Sequence, residues 1–455
     1  MSAALARLLF ARVDIAPLVL ARIVFGAMMV IEVIQFFVND WVGRYYIEPS
    51  FLFTFPGFGW VRPLPGTGMY SLFAALGGLA AMMALGLYYR LAAIAFGIGT
   101  TWVFLLDQTH YLNHMYLICL LAFLLAVVPA HRAASLDALR HESSEQTAPA
   151  WTLLLLKGQI AIVYIYGGIA KIDGDWLAGA PAAVFLRGWH LTAPLATSEL
   201  ACRMFAVSGM LFDLLVVPAL LWRRTRVLAT LAAMMFHLTN AGMFSIGIFP
   251  WLMLGTLPLF WPASASRWIL ARVRLLPASA PDLAAPSERP RHAPAITYAL
   301  LAYASVQILL PMRHWLYPGE VNWTEEGHNF SWHMKLRIKH ATLRYTATDR
   351  DTGDTWTIDP RTQLTKRQVD KMGNRPQMIR QYAVELARQY AQAGRPHVEI
   401  RAHAISQLNA HPPQLIVDPS VDLAHEPFTL APAPWIVPLG AAWARQGGSP
   451  PTEGE

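Results

Sequence analysis

The sequence predicts an α-helical polytopic membrane protein of about nine spans, followed by a β-rich α+β soluble C-terminal domain. Three observations predict it. Of 455 residues, 55% are hydrophobic and 14% charged, against the roughly 25% charged fraction of soluble domains. The imbalance sits in residues 1–312, where long apolar runs follow one another. From residue 313 the pattern becomes the apolar–polar alternation of a water-soluble sheet.

A span needs roughly 20 mostly apolar residues. Candidate runs lie near 15–37, 67–88, 91–107, 112–130, 151–170, 203–222, 227–243, 245–262 and 295–312. The first follows Arg7 and Arg12, is too long for a signal-peptide core and lacks a small-residue cleavage site. It reads as a retained anchor. Arg90, Arg132, Arg140, Arg223, Arg224, Arg226, Arg267, Arg272, Arg274, Arg289 and Arg291 fall in alternate connections, so the positive-inside rule puts these on the cytoplasmic face. The C-terminal domain, residues 313–440, is then extracytoplasmic, as expected of a multi-pass protein of a bacterial inner membrane. The pair 227–243 and 245–262 decides this: one re-entrant element there would move the domain to the other side. The net charge of +7 lies in these short loops, which excludes a nucleic-acid partner and makes lipid the expected one. Residues 276–293 read as a Pro/Ala/Ser-rich loop and 441–455 as a disordered tail.

Within the C-terminal domain, Thr342–Ala347 and His397–Ala402 alternate with the period of strands, and Asp349–Asp354 reads as a turn. Ile379, Tyr382, Ala383, Leu386 and Tyr390 have helical spacing within 374–393. The two cysteines, Cys119 and Cys202, fall in or beside spans and read as small buried residues rather than a disulfide framework.

Ionisable side chains in a membrane are expensive, so each is a candidate for function. Four clusters stand out. Asp107–His114 forms a turn between two spans. Lys171 follows Tyr164, Tyr166 and two glycines and leads into Asp173, Asp175 and Trp176. His237 and Asn240 share one helical face, and Arg187, Trp189 and His190 lie in the connection after Lys171. All reach one leaflet, facing the C-terminal domain. A lysine beside tryptophan at a membrane boundary also suits a snorkelling anchor, and a histidine in a span suits helix packing. Asp173 and Asp175 suit solvated loop carboxylates or ion-pair partners of Lys171. A desolvated lysine has one special use, because its free amine becomes available as a base at neutral pH. No zinc-protease helix, Cys/His array, phosphate loop, dinucleotide fingerprint or nucleophile elbow is present in the sequence.

Arg22–Val30, Gly86–Leu91, Phe104–Thr109, Asn113–Leu117, Ala170–Leu177, Phe236-His237 and Met243–Pro250 carry a resemblance to a known family. So do Asn322–Thr324, Phe330–Met334 and Val417–Pro419. In this order, over about residues 15 to 440, they resemble the vitamin K-dependent γ-glutamyl carboxylases, including bacterial relatives with the horizontally transferred transmembrane (HTTM) domain. The resemblance implies oxidation of vitamin K hydroquinone (reduced phylloquinone or menaquinone) by O2 to the epoxide, coupled to CO2 addition to peptidyl glutamate. It implies a glutamate-containing peptide or protein substrate and no metal. By position Lys171 would be the starting base, with Asn113 and His114 beside the hydroquinone. His237, Tyr166 and Trp176 are the remaining residues expected at the cofactor. The disulfide cysteines of the animal members are absent and the tail is shorter than theirs, so a propeptide grip is not implied. Two other readings remain: a quinol oxygenase without productive carboxylation, and a non-enzymatic transporter or assembly factor. The inverted repeats common in transporters are not evident.

Overall fold

The computed structural model describes residues 3–142, 145–283 and 290–440; the expected tail 441–455 lies outside them. The predicted apolar runs are helical: α1 Ala16–Val38, α2 Gly68–Leu85, α3 Tyr89–Leu106, α4 Asn113–Val127, α5 Ala150–Ile169, α6 Glu199–Leu221, α7 Arg226–Met243, α8 Phe249–Thr256 and α9 Ala293–Met312. Among the described residues, six are long and apolar enough to cross a membrane: α1, α2, α3, α5, α6 and α9, the last with its following turn. Length and composition therefore do not confirm the expected count of nine. Helix α4 has only 15 residues. Helix α7 has the length but carries Arg226, Thr230, His237 and Asn240. In α8, Pro250 fixes the first turn and Pro258 lacks the N–H that would continue the helix, leaving eight residues and a 3₁₀ turn, Leu257–Leu259. Eight residues span only about 12 Å.

Short as it is, the α8 segment carries the chain across the bundle. Phe249 and Met253 line a cavity beneath the C-terminal domain. Arg267 then grips Asp14 with two hydrogen bonds of 2.7 Å, just before the start of α1. The other end of α1 leads to Phe51 and Phe53, which pack into the core of the C-terminal domain. Asp14 and that domain therefore mark opposite ends of the bundle.

Exposed apolar side chains such as Ile98, Leu215, Leu231, Met235 and Leu309 ring the bundle as a lipid-facing surface requires. Small residues let the helices approach closely. A Cβ on Gly26 of α1 would lie 2.6 Å from the Ala84 nitrogen of α2.

The C-terminal domain is a four-stranded antiparallel sheet, β1 Lys339–Asp349, β2 Thr355–Ile358, β3 Val398–Leu408 and β4 Gln414–Leu415, in the order β2-β1-β3-β4. The predicted turn closes where Asp349 donates to the Asp354 carbonyl. Helices α10 Lys366–Met372 and α11 Pro376–Gln392 accompany the sheet. The predicted helical spacing puts Ile379, Tyr382, Ala383 and Leu386 in the core, with Tyr345 and Ile400 from the sheet.

Candidate active site

A cavity of about 1080 Å³ lies between the helical bundle and the C-terminal domain. Its bundle half is largely apolar and aromatic, with Val163, Trp176, Phe236, Phe249 and Met253 among its walls. Polar groups enter at a few points only, as in sites that orient an apolar ligand.

Lys171 is the first of these points. It follows the C-terminal end of α5, and its side chain is only 8% exposed. Nζ donates to Asp213 Oδ2 of α6 at 2.5 Å and to the Gly167 carbonyl at 3.1 Å. The Trp176 ring lies 5.5 Å away. An ammonium has three donors, so one N–H direction remains for a ligand. The two glycines before Lys171 permit this arrangement. A Cβ on Gly168 would lie 2.7 Å from the Leu214 side chain, and one on Gly167 would lie 3.3 Å from Asp213 Oδ2.

A second polar point is the pair Tyr164–His237, joined between the hydroxyl and Nε2 at 2.7 Å. His237 Nδ1 is buried with no hydrogen-bond partner among the described residues. His114, at the start of α4, lines the cavity and stacks on Phe249 with ring centroids 5.7 Å apart. Asn113 accepts from the Tyr111 hydroxyl at 3.0 Å and donates to the His333 carbonyl at 2.9 Å. The C-terminal domain thereby reaches the bundle.

That reach comes from a tightly wound segment. Glu325, Phe330, Trp332 and Lys335 have φ of 63°, 66°, 60° and 54°, a left-handed region that costs a non-glycine residue about 1–3 kcal/mol. Trp332 is buried and stacks on Tyr116 of α4 at 5.1 Å. His333 lines the cavity, and burial lowers its pKa to about 3, with His314 and Arg337 acting in the same direction. It is a neutral ring at physiological pH.

The other half of the cavity is basic. Seven cations line it: Lys335, Arg337 and Lys339 before and on β1, Lys366, Arg367 and Lys371 on α10, and Arg375. The carboxylates among them are Glu325 and Asp370. Glu325 bonds Arg337 at 2.5 Å and Lys339 at 3.2 Å. Burial opposes its ionisation, but Arg337 and Lys339 outweigh that and hold it well below the usual carboxylate range. Most of the positive charge is left for a ligand.

Residues 10–265 match the HTTM domain, and residues 292–442 match the lumenal domain of vitamin K-dependent gamma-carboxylases. The chain belongs to the vitamin K-dependent γ-glutamyl carboxylase family. No solved structure matches it. The cavity lies where the two matched domains meet, with Lys171 from one and His333 from the other.

Among the residues expected from the sequence of this carboxylase-family chain, Lys171, Asn113, His114, His237, Asn240 and Trp176 all line that cavity. Tyr166 does not: its hydroxyl donates to the Ile308 carbonyl of α9. Tyr164 lines the wall instead, because two residues along a helix turn the side chain about 200°. Asp173 and Asp175 do not pair with Lys171. Asp173 accepts from the Trp176 amide, and Asp175 holds Asn409 and His411 of the C-terminal domain. Trp189 packs near Gly242 of α7 and, with Arg187 and His190, lies off the cavity. The partner missed was Asp213, although a carboxylate inside a predicted span is itself a signal. Cys119 and Cys202 are free and buried.

Proposed function

We propose that this chain couples oxidation of a vitamin K-type hydroquinone by O2 to γ-carboxylation of glutamate in an acidic peptide or protein. The observation that carries the reading is the two-part cavity, apolar with a buried lysine on one side and basic on the other. A reduced phylloquinone or menaquinone has a flat apolar ring system with two hydroxyls. The aromatic walls suit the ring, and the remaining Lys171 N–H and unpartnered His237 Nδ1 suit the hydroxyls. When bound, the hydroquinone with O2 supplies a base strong enough to take the glutamate γ-proton, and the carbanion then adds CO2.

The chain's own groups have simpler tasks. Lys171 Nζ takes the first hydroxyl proton. His114 and His237 orient the ring beside Phe249, on which His114 stacks and against which His237 packs edge-on. Asn113 fixes the C-terminal domain over the cavity, and the buried Trp332 closes its flank against water, which a carbanion requires. The cations on β1 and α10 draw in glutamyl carboxylates. The basic loops support an extracytoplasmic C-terminal domain on a protein of a bacterial inner membrane. Labelling of a single cysteine placed in that domain on intact cells tests the orientation.

The test of function uses purified protein, hydroquinone, O2, labelled bicarbonate and a glutamyl peptide. Wild type is expected to form both epoxide and labelled carboxylate. Lys171→Ala should lose both by roughly 10²–10⁴-fold, the usual worth of an acid–base group. Unchanged turnover in that variant would remove Lys171 from the base role. Wild type that forms neither product would overturn the whole reading.

A further inference from the structure

The contact between Lys171 and Asp213 raises a chemical problem for the base role. A lysine beside a carboxylate at 2.5 Å is held as the ammonium, which cannot accept a proton. The surroundings suggest how the pair works. Lys171 is the only hydrogen-bond donor to Asp213 among the described residues. A carboxylate buried in a bundle with a single donor is poorly compensated for lost water, so its ionic and neutral pairings lie close together. Both side chains line the cavity. The charged and titratable groups facing them are few: Tyr164 of α5, His237 behind its hydroxyl, and His333 from the C-terminal domain. Tyr164 is committed to His237, and His333 is neutral. None of them is placed to take the lysine proton.

We infer that Asp213 is the positioning residue that receives the Lys171 proton, so that the pair acts as one relay. The inference rests on the hydroquinone reading above. Lys171 Nζ gives a proton to Asp213 Oδ2 and takes one from the ligand hydroxyl. One O–H bond breaks at the ligand, one N–H bond is broken and remade, and one O–H bond forms on Asp213. The negative charge passes from Asp213 to the ligand oxygen while Lys171 remains an ammonium beside it. No oxidant is needed for this step, and the site stays neutral overall. Gly167 and Gly168 serve the relay by letting α6 come close enough for the carboxylate to reach.

Infrared difference spectroscopy without O2 reads the relay directly. Adding hydroquinone to the wild-type protein is expected to produce the carbonyl band of a protonated carboxylic acid. The band should move in Asp213→Glu and vanish in Asp213→Asn and in Lys171→Ala. Its absence in wild type, or its persistence in Asp213→Asn, overturns the inference whether or not a variant folds poorly. Turnover gives the second readout: kcat of Asp213→Asn should fall by roughly 10²-fold with the hydroquinone KM little changed, and Asp213→Glu should recover part of it. A Lys171→Ala variant without turnover beside a fully active Asp213→Asn would sink the relay alone. Full turnover in Lys171→Ala would instead sink the base role.

Discussion

The Asn113 side chain donates to the His333 carbonyl at 2.9 Å, joining two residues 220 positions apart in the chain. Next to it, the Phe330 amide donates to the Tyr111 hydroxyl at 2.6 Å. These two bonds pin the wound segment of the C-terminal domain into the bundle. Asn113→Ala leaves a buried carbonyl without its donor, a loss of about 1–3 kcal/mol. Limited proteolysis should then cut between residues 322 and 334 faster than in wild type, with turnover reduced. Wild-type protease resistance would mean that the bond does not hold the domain down.

Gly168 controls the approach of α5 to α6. Valine there would press on the Leu214 side chain at 2.7 Å and on its backbone nitrogen at 3.0 Å. Overpacking of this kind typically costs about 1–3 kcal/mol. Gly168→Val should lower the melting temperature in detergent and reduce turnover, because it separates Lys171 from Asp213. Gly78 on α2 serves as the control, since a methyl group added there would meet no atom within 4 Å. Gly78→Ala should keep full activity and melt no lower than wild type, because alanine favours a helix by about 1 kcal/mol.

The basic half of the cavity predicts a pH dependence of peptide binding. Burial brings the Lys371 pKa down to about 8, and Arg375 and Arg367 add to the effect. Burial brings Lys339 to about 8 as well, with Glu325 pulling the other way. Both are charged below pH 8 and lose that charge above it. Attraction for a glutamyl peptide is therefore full near pH 7 and weakens towards pH 9. KM for the peptide should rise over that interval and also with added salt, which screens exposed charge. Lys371→Met should raise KM at pH 7 and flatten its rise. A peptide KM that ignores both pH and salt would remove the basic half from substrate capture.

Much of the architecture was legible because the membrane imposes a length rule and the sheet a period of two. The six long helices and the strands around Tyr345 and Ile400 follow from those constraints. The rule failed at α8, where hydropathy averages over Pro250 and Pro258 and does not register a broken helix. For the site, a lysine at the end of a span is visible, but its partner is not. Asp213 lies 42 positions away, and only the packing of α5 on α6 brings it near. Tyr166 and Tyr164 could not be told apart because polar residues fall on both sides of α5, Lys157 on the side of Tyr164 and Gln159 on that of Tyr166, so no single polar face marks which tyrosine points inward. The seven cations escaped notice because they are spread over a loop, β1, α10 and Arg375, and form no run in the chain.

Tyr164 and His237 supply the last prediction. Their 2.7 Å bond is buried, and Nε2 has no other partner among the described residues. With the hydroxyl donating to Nε2, the ring proton sits on Nδ1, the tautomer that presents a donor to a ligand oxygen. Tyr164→Phe removes the group that selects this tautomer while keeping the aromatic wall. Affinity for the hydroquinone should fall by about tenfold, the worth of one hydrogen bond of roughly 1.4 kcal/mol. Peptide KM should stay near wild type, because the basic half of the cavity is untouched. His237→Ala should weaken hydroquinone binding at least as much, and the double variant should lose no more than the histidine variant alone. That non-additivity is the signature of two residues acting as one unit. Additive losses, or a change in peptide KM with hydroquinone affinity intact, would place the pair outside the ligand's reach.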